Sequence, residues 1–222
     1  RAMRLSDCFS VFLIYLVFCQ ARKEGEKSKS SKARRNNLNI TKVFEGNSPL
    51  WLYKQTQCNV FTPDDEIDSS VEFVLKCTFI KKINISNTHV HFLKTIDVNG
   101  ETVKIHYRGD FILEERRAPK SMNVTDISDG DISPFETMEL GYANQKCYVF
   151  FLTPLLRDDE EENLDDSSGH HNCEMYIRHG KPPGLECDKF FETNCPNQTF
   201  VTYDESCKIL KKIKADRKNG EE

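Results

Sequence analysis

Two sets of residues in this chain carry chemistry that can be named from type and spacing. The first is its nine cysteines, four of them in the C-terminal block from Cys173 to Cys207. Thiols at that density persist as bridges only in oxidising surroundings. The second set could take a cation. Glu174 and Tyr176 are two residues apart, as are Tyr148 and Phe150, and alternate residues share one face of a strand. An ammonium drawn into a low-dielectric cavity needs a carboxylate and gains from an aromatic wall. Glu174 supplies such a charge, and Tyr148, Tyr176 or Trp51 the rings. Phe150, Tyr107 and Phe92 add apolar wall. The alternative is that both tyrosines simply fill the interior and Glu174 caps a rim.

Other constellations are weaker. His89, His91 and His106 fall on one face of a hairpin at a spacing that could hold zinc. Arg108 sits directly opposite His91 in the same register, and a cation there opposes a metal. His170-His171 follow a flexible acidic stretch, where ligand geometry is hard to hold. No metal site and no cofactor are expected. His-Glu-x-x-His, Gly-x-Ser-x-Gly and phosphate-cradling glycine loops are all missing, so an enzyme is not expected.

The chain organises around these residues in four parts. Residues 1–21 read as a signal peptide, with a basic start, an apolar run from Phe9 to Cys19 and small residues before the exit. That run is too short to span a bilayer, which takes roughly 20 residues. Residues 22–37 form a basic arm without apolar periodicity, read as disordered. Residues 38–212 are the folded domain, and 213–222 a charged tail. An acidic loop, 158–166, interrupts the domain, so the formal net charge of -4 conceals separated patches. Four sequons, at Asn39, Asn84, Asn123 and Asn197, place glycans on solvent-facing turns or strand ends. Leader, sequons and cysteines together predict a secreted protein with no membrane span and no nucleic-acid partner.

Within the domain the pattern has period two almost throughout. Val71, Phe73, Leu75, Cys77 and Phe79 fall on one face, with Glu72, Lys76 and Thr78 on the other, as in a half-buried strand. Asn99-Gly100 is the preferred pair for a two-residue hairpin turn. Folding there sets Val98 against Glu101, Ile96 against Val103 and Phe92 against Tyr107. Further strands are expected over 50–61, 121–127, 134–142, 146–153 and 173–178, with a short helix over 185–193. About eight antiparallel strands and one late helix predict an all-β, up-and-down barrel able to hold one small ligand. In such a barrel the end of the first strand, Cys58, lies near the start of the last, Cys173. That favours a Cys58–Cys173 bridge, although connectivity does not follow from sequence alone.

The residues Cys173-Glu-Met-Tyr176, Cys187-Asp-Lys-Phe-Phe191 and Tyr203-Asp-Glu-Ser-Cys207-Lys208, with Cys147-Tyr-Val149 and the Leu-Lys-Cys77 strand, resemble the tick salivary lipocalins of the histamine-binding family. The resemblance covers roughly residues 47–208. It implies an eight-stranded antiparallel up-and-down lipocalin barrel with a short C-terminal helix, working as a secreted carrier. It also implies the bridges Cys77–Cys207 and Cys147–Cys187, which together with a Cys58–Cys173 bridge would make Cys195 the odd thiol: unpaired, paired with another chain, or displacing one of these assignments. Its members sequester host mediators: histamine, serotonin or leukotrienes, and in some cases complement components. The family's amine signature, Cys-Asp-Val followed by Glu-Leu-Trp or Glu-Leu-Tyr and then Cys, departs here in one place, where Tyr148 stands for the Asp. One of two ammonium-binding carboxylates is thereby lost, which shifts the expectation toward a more apolar ligand. The general lipocalin Gly-x-Trp start is replaced by Ser48-Pro-Leu-Trp51. The expected partner is a small host mediator, amine or lipid, bound by a monomer. The competing expectation is a scaffold whose loops and charged arms inhibit a host defence protein of complement or haemostasis, with no small ligand.

Overall fold

The computed structural model describes residues 38–61, 73–128, 133–155, 171–178 and 180–208. The segments expected to be leader, basic arm, acidic loop with His170 and charged tail lie outside the described residues, as do Val71 and Glu72.

Period-two segments become strands that close on themselves. They are β1 (Leu50–Gln55), β2 (Val60–Phe61), β3 (Phe73–Ile85), β4 (His89–Val98), β5 (Glu101–Ile112), β6 (Ser121–Asp126), β7 (Pro134–Ala143), β8 (Cys147–Pro154), β9 (Asn172–Arg178) and β10 (Phe200–Val201). Each long strand pairs antiparallel with its sequence neighbour from β3 to β9. β1 pairs with both β9 and β3, so eight strands form a closed barrel, with β2 and β10 as short appendages on β3 and β1. Closure leaves these eight strands no open edge to template aggregation.

The Asn99-Gly100 turn holds because both residues take positive φ, 50° and 93°, as a type I′ turn demands. Its register is the expected one, with Val98 opposite Glu101, Ile96 opposite Val103 and Phe92 opposite Tyr107. The expected single strand over 50–61 is instead two. β1 ends at Gln55, where Thr56 N–H donates to the Cys173 carbonyl, and the chain turns before β2 joins β3.

β3 carries a second correction. Lys76 pairs with Asp97, but Phe79 pairs with Thr95, so one extra residue is accommodated between them. Cys77 takes φ 51° at this bulge. One inserted residue flips every side chain beyond it. Cys77 and Phe79 therefore do not share the inner face with Leu75; they pack outside against Trp51, and Ile80 turns inward.

Among the described elements, two short helices pack on the barrel. α1 (Ile40–Phe44) was not legible as a helix. Asn39 caps it by accepting the Thr41 N–H at 2.9 Å, and Ile40, Val43 and Phe44 are buried as a plug in one end of the barrel. A five-residue helix has too few turns to show a period and depends on its packing. α2 (Leu185–Asn194) lies on the outside of β8 and β9, burying Cys187 and Phe191.

Three bridges fasten these parts: Cys77–Cys207, Cys147–Cys187 and Cys173–Cys195. The first two are the pairs that the resemblance implies. The third replaces the expected Cys58–Cys173 bridge. Cys173 points outward toward α2, whereas Cys58 lies exposed beyond the end of β1 and belongs to none of the three bridges. The spacing explains the choice. Cys187 to Cys195 is about 12 Å of helix rise, and Cys147 to Phe151, the residue paired with Cys173, is about 13 Å of strand. Helix and strand pair thus match in length and are stapled at both ends.

Candidate ligand-binding site

The inward faces divide the barrel into a filled part and a small open part. Leu50, Leu52, Ile80, Val90, Phe92, Phe111, Met122, Met138, Leu140, Phe150 and Leu152 pack with the α1 plug as one apolar cluster. Beyond it, among the described residues, a cavity of about 280 Å3 is lined by Gln57, Lys94, Tyr107, Phe135, Glu136, Pro154 and Glu174.

Strand parity delivers each polar group to this cavity. Glu174 stands opposite Phe150 and two residues before Tyr176 on the inner face of β9. Lys94 follows Val90 and Phe92 on the inner face of β4, and Glu136 precedes Met138 and Leu140 on that of β7. Both charges interrupt otherwise apolar inward rows, which is the signal by which the sequence could have revealed them.

Glu174 is almost fully buried and fully engaged. Lys94 Nζ donates to its Oε1 at 3.2 Å, and Tyr176 Oη donates to its Oε2 at 2.7 Å. A buried carboxylate needs such partners to remain charged. Burial by itself would pull the Lys94 ammonium down, but Glu174, helped by Tyr107 and Glu136, holds it above its ordinary value. Burial, followed by the negative charge of Glu174, pushes the Tyr176 phenol well up, so it remains a neutral donor. The Tyr107 phenol is also raised, chiefly by burial.

Glu136 differs. Among the described residues its carboxyl makes no hydrogen bond and no ion pair. Burial, and then repulsion from Glu174, raise it from 4.5 to about 7, with Lys94 opposing. The cavity therefore holds two carboxyls and one ammonium.

Of the expected ligand contacts, Glu174 and Tyr107 line the cavity. Tyr176 reaches it through its bond to Glu174. Phe150 and Phe92 lie in the apolar cluster below, 5.8 Å from Tyr176 and 5.7 Å from Tyr107 between ring centroids. Two expectations are corrected. Tyr148 belongs to the α1 end, where its hydroxyl accepts from Arg178 Nε at 3.1 Å and Arg178 also donates to the Val43 carbonyl. Trp51 is on the outer face, since Leu50 and Leu52 take the inward positions. Its ring lies 4.8 Å from Phe79 and 5.4 Å from Tyr203. The cavity also holds a second carboxyl that the sequence reading did not single out, that of Glu136 on β7.

The histidines form an outer cluster, with His91 ring centroids 5.2 Å from His89 and 5.6 Å from His106. Arg108 stands opposite His91 and donates to Asp110. Among the described residues, no group of three His, Cys, Asp or Glu side chains could hold a metal ion. Of the sequon residues, Asn84 is exposed near the end of β3, Asn39 is the α1 cap, and Asn197 follows α2. Asn123 lies within β6 rather than at a turn or strand end, and its Oδ1 accepts from Thr137.

The family model described as tick histamine binding protein matches residues 28–209. Among solved structures, Japanin from Rhipicephalus appendiculatus bound to cholesterol aligns at 13% identity and a TM-score of 0.44, covering 74% of this chain and 97% of that one. No curated protein matches.

Proposed function

This chain belongs to the tick histamine-binding protein family, and from that premise we propose that it is a secreted salivary carrier that sequesters a small host amine, of the histamine or serotonin class, in the cavity bounded by Glu136 and Glu174. The observation that carries this reading is the charge balance. Two carboxyls face one ammonium in a cavity that Gln57, Tyr107, Phe135 and Pro154 complete, so the site has one negative charge to offer to a cation. Tyr107 adds an aromatic wall suited to an ammonium.

Size favours the amine over a lipid mediator. Drug-sized ligands occupy pockets of roughly 300–1,000 Å3, and this one is about 280 Å3 with a packed apolar floor. A long acyl chain would have to displace Phe92, Phe150 and Leu152. Three disulfides support an oxidising, extracellular setting. No described helix is long and apolar enough to cross a membrane.

Calorimetry of the purified protein against histamine, serotonin, a leukotriene and a fatty acid tests the reading. The expected outcome is saturable binding of an amine at micromolar concentration or below, with neither lipid bound. Absence of binding by either amine would sink it and favour the protein-inhibitor alternative.

A further inference from the structure

Building on the amine-carrier reading, we propose that Glu136, not Glu174, receives the ligand's ammonium, that the Lys94–Glu174 pair stays closed throughout, and that uptake expels a proton from Glu136.

Geometry separates the two carboxyls. Both oxygens of Glu174 are taken, one by Lys94 and one by Tyr176, and its side chain is only 2% exposed. Each oxygen keeps a second lone pair, but the single negative charge of Glu174 is already balanced by Lys94, so an ammonium drawing on it would compete with that pair inside the barrel. Glu136 lines the same cavity and has no such partner among the described residues. The ionisable groups facing it are Lys94 from β4, Tyr107 from β5 and Glu174 from β9; Asp126 at the end of β6 stands opposite Tyr107, and β8 contributes the neutral Pro154. Lys94 is already neutralised by Glu174. An ammonium entering the cavity is therefore balanced by Glu136 alone.

The proton follows from that balance. With Glu136 raised to about 7, much of it is a neutral acid at or below neutrality. The arriving R–NH3+ needs the carboxylate, so the acid's O–H bond breaks, its proton passes to solvent, and the ion pair forms in its place. Only the ionised fraction is competent to bind, and apparent affinity scales with that fraction. Affinity is expected to rise about tenfold from pH 6 to pH 8 and to level off above that.

Serotonin is the cleaner probe, because its ring carries no group that titrates between about pH 5 and 8, unlike the imidazole of histamine. Titrations of the full protein in two buffers of different ionisation heat count the protons. Wild type is expected to release close to one proton per serotonin near pH 6 and few near pH 8. Glu136→Gln is expected to bind at least tenfold more weakly at pH 8 and to lose both the proton release and the pH dependence. For histamine, the same titration of Glu136→Gln subtracts the proton belonging to the ligand. Wild-type affinity equal at pH 6 and pH 8 without proton release, or unchanged affinity in Glu136→Gln at pH 8, would overturn the assignment while leaving the carrier reading intact. If wild type binds neither amine at either pH, the carrier reading itself fails and this inference falls with it.

Discussion

At the scale of single residues, Lys94 and Glu174 are a coupled unit, and removing one strands the other. Glu174→Gln leaves the Lys94 ammonium facing a neutral amide in a mostly apolar barrel. Breaking a pair buried on one side is expected to cost about 2–4 kcal/mol in urea unfolding. A Lys94→Met/Glu174→Gln double variant is expected to recover most of that loss; strictly additive single effects would show that the two are not coupled. Trp51 gives an independent check. It is the sole tryptophan and sits outside the barrel wall beneath Tyr203. Saturation with an amine is expected to leave its emission maximum in place, and a pronounced ligand-induced shift would argue against the cavity's position. The inward-facing side of β9 was readable from the alternation of Glu174 and Tyr176. That Glu174 is already satisfied was not, because its partner Lys94 lies 80 residues away.

At the scale of elements, α2 is held by its two bridges more than by its own propensity. Gly184 offers no side-chain cap, although Glu186 and Asp188 suit the helix N-terminus. Lys54 reaches Asp188 at 2.8 Å and lies over the Phe191 ring. Cys195→Ala opens a bridge spanning 22 residues and is expected to cost about 2–4 kcal/mol. Non-reducing peptide mapping of wild type is expected to recover the Cys173 peptide joined to that of Cys195; recovery joined to Cys58 would refute the assignment. The C-terminal segment is seated with similar specificity. Tyr203 Oη donates to the Gly180 carbonyl, and Gly180 takes φ 58° with no room for a Cβ beside that hydroxyl. Strand positions and the β4–β5 register were legible because alternation and an Asn-Gly turn are local features. The bulge at Cys77 was not, since an inserted residue leaves the residue types around it unchanged.

For the whole molecule, the raised carboxyl of Glu136 enters the stability curve. Its folded value of about 7 exceeds the ordinary 4.5, so between those limits the folded state binds more protons than the unfolded one. Stability is then greatest below about pH 4.5 as far as this group is concerned and falls as pH rises toward 7. Glu136→Gln is expected to remove that slope and to be more stable than wild type at pH 8 by on the order of 1–3 kcal/mol. Urea unfolding at pH 5, 6 and 8 measures it, and parallel curves for the two proteins would contradict the assignment. Barrel class, hairpin register and the late helix were open to reading along the chain, because period two, turn chemistry and helical spacing are written within a few residues of one another. The Cys173–Cys195 bridge, the outward Trp51, the closed Lys94–Glu174 pair and the uncompensated Glu136 were settled only by folding. Each depends on which distant strands closure brings side by side, and on a bulge that changes which face a residue meets.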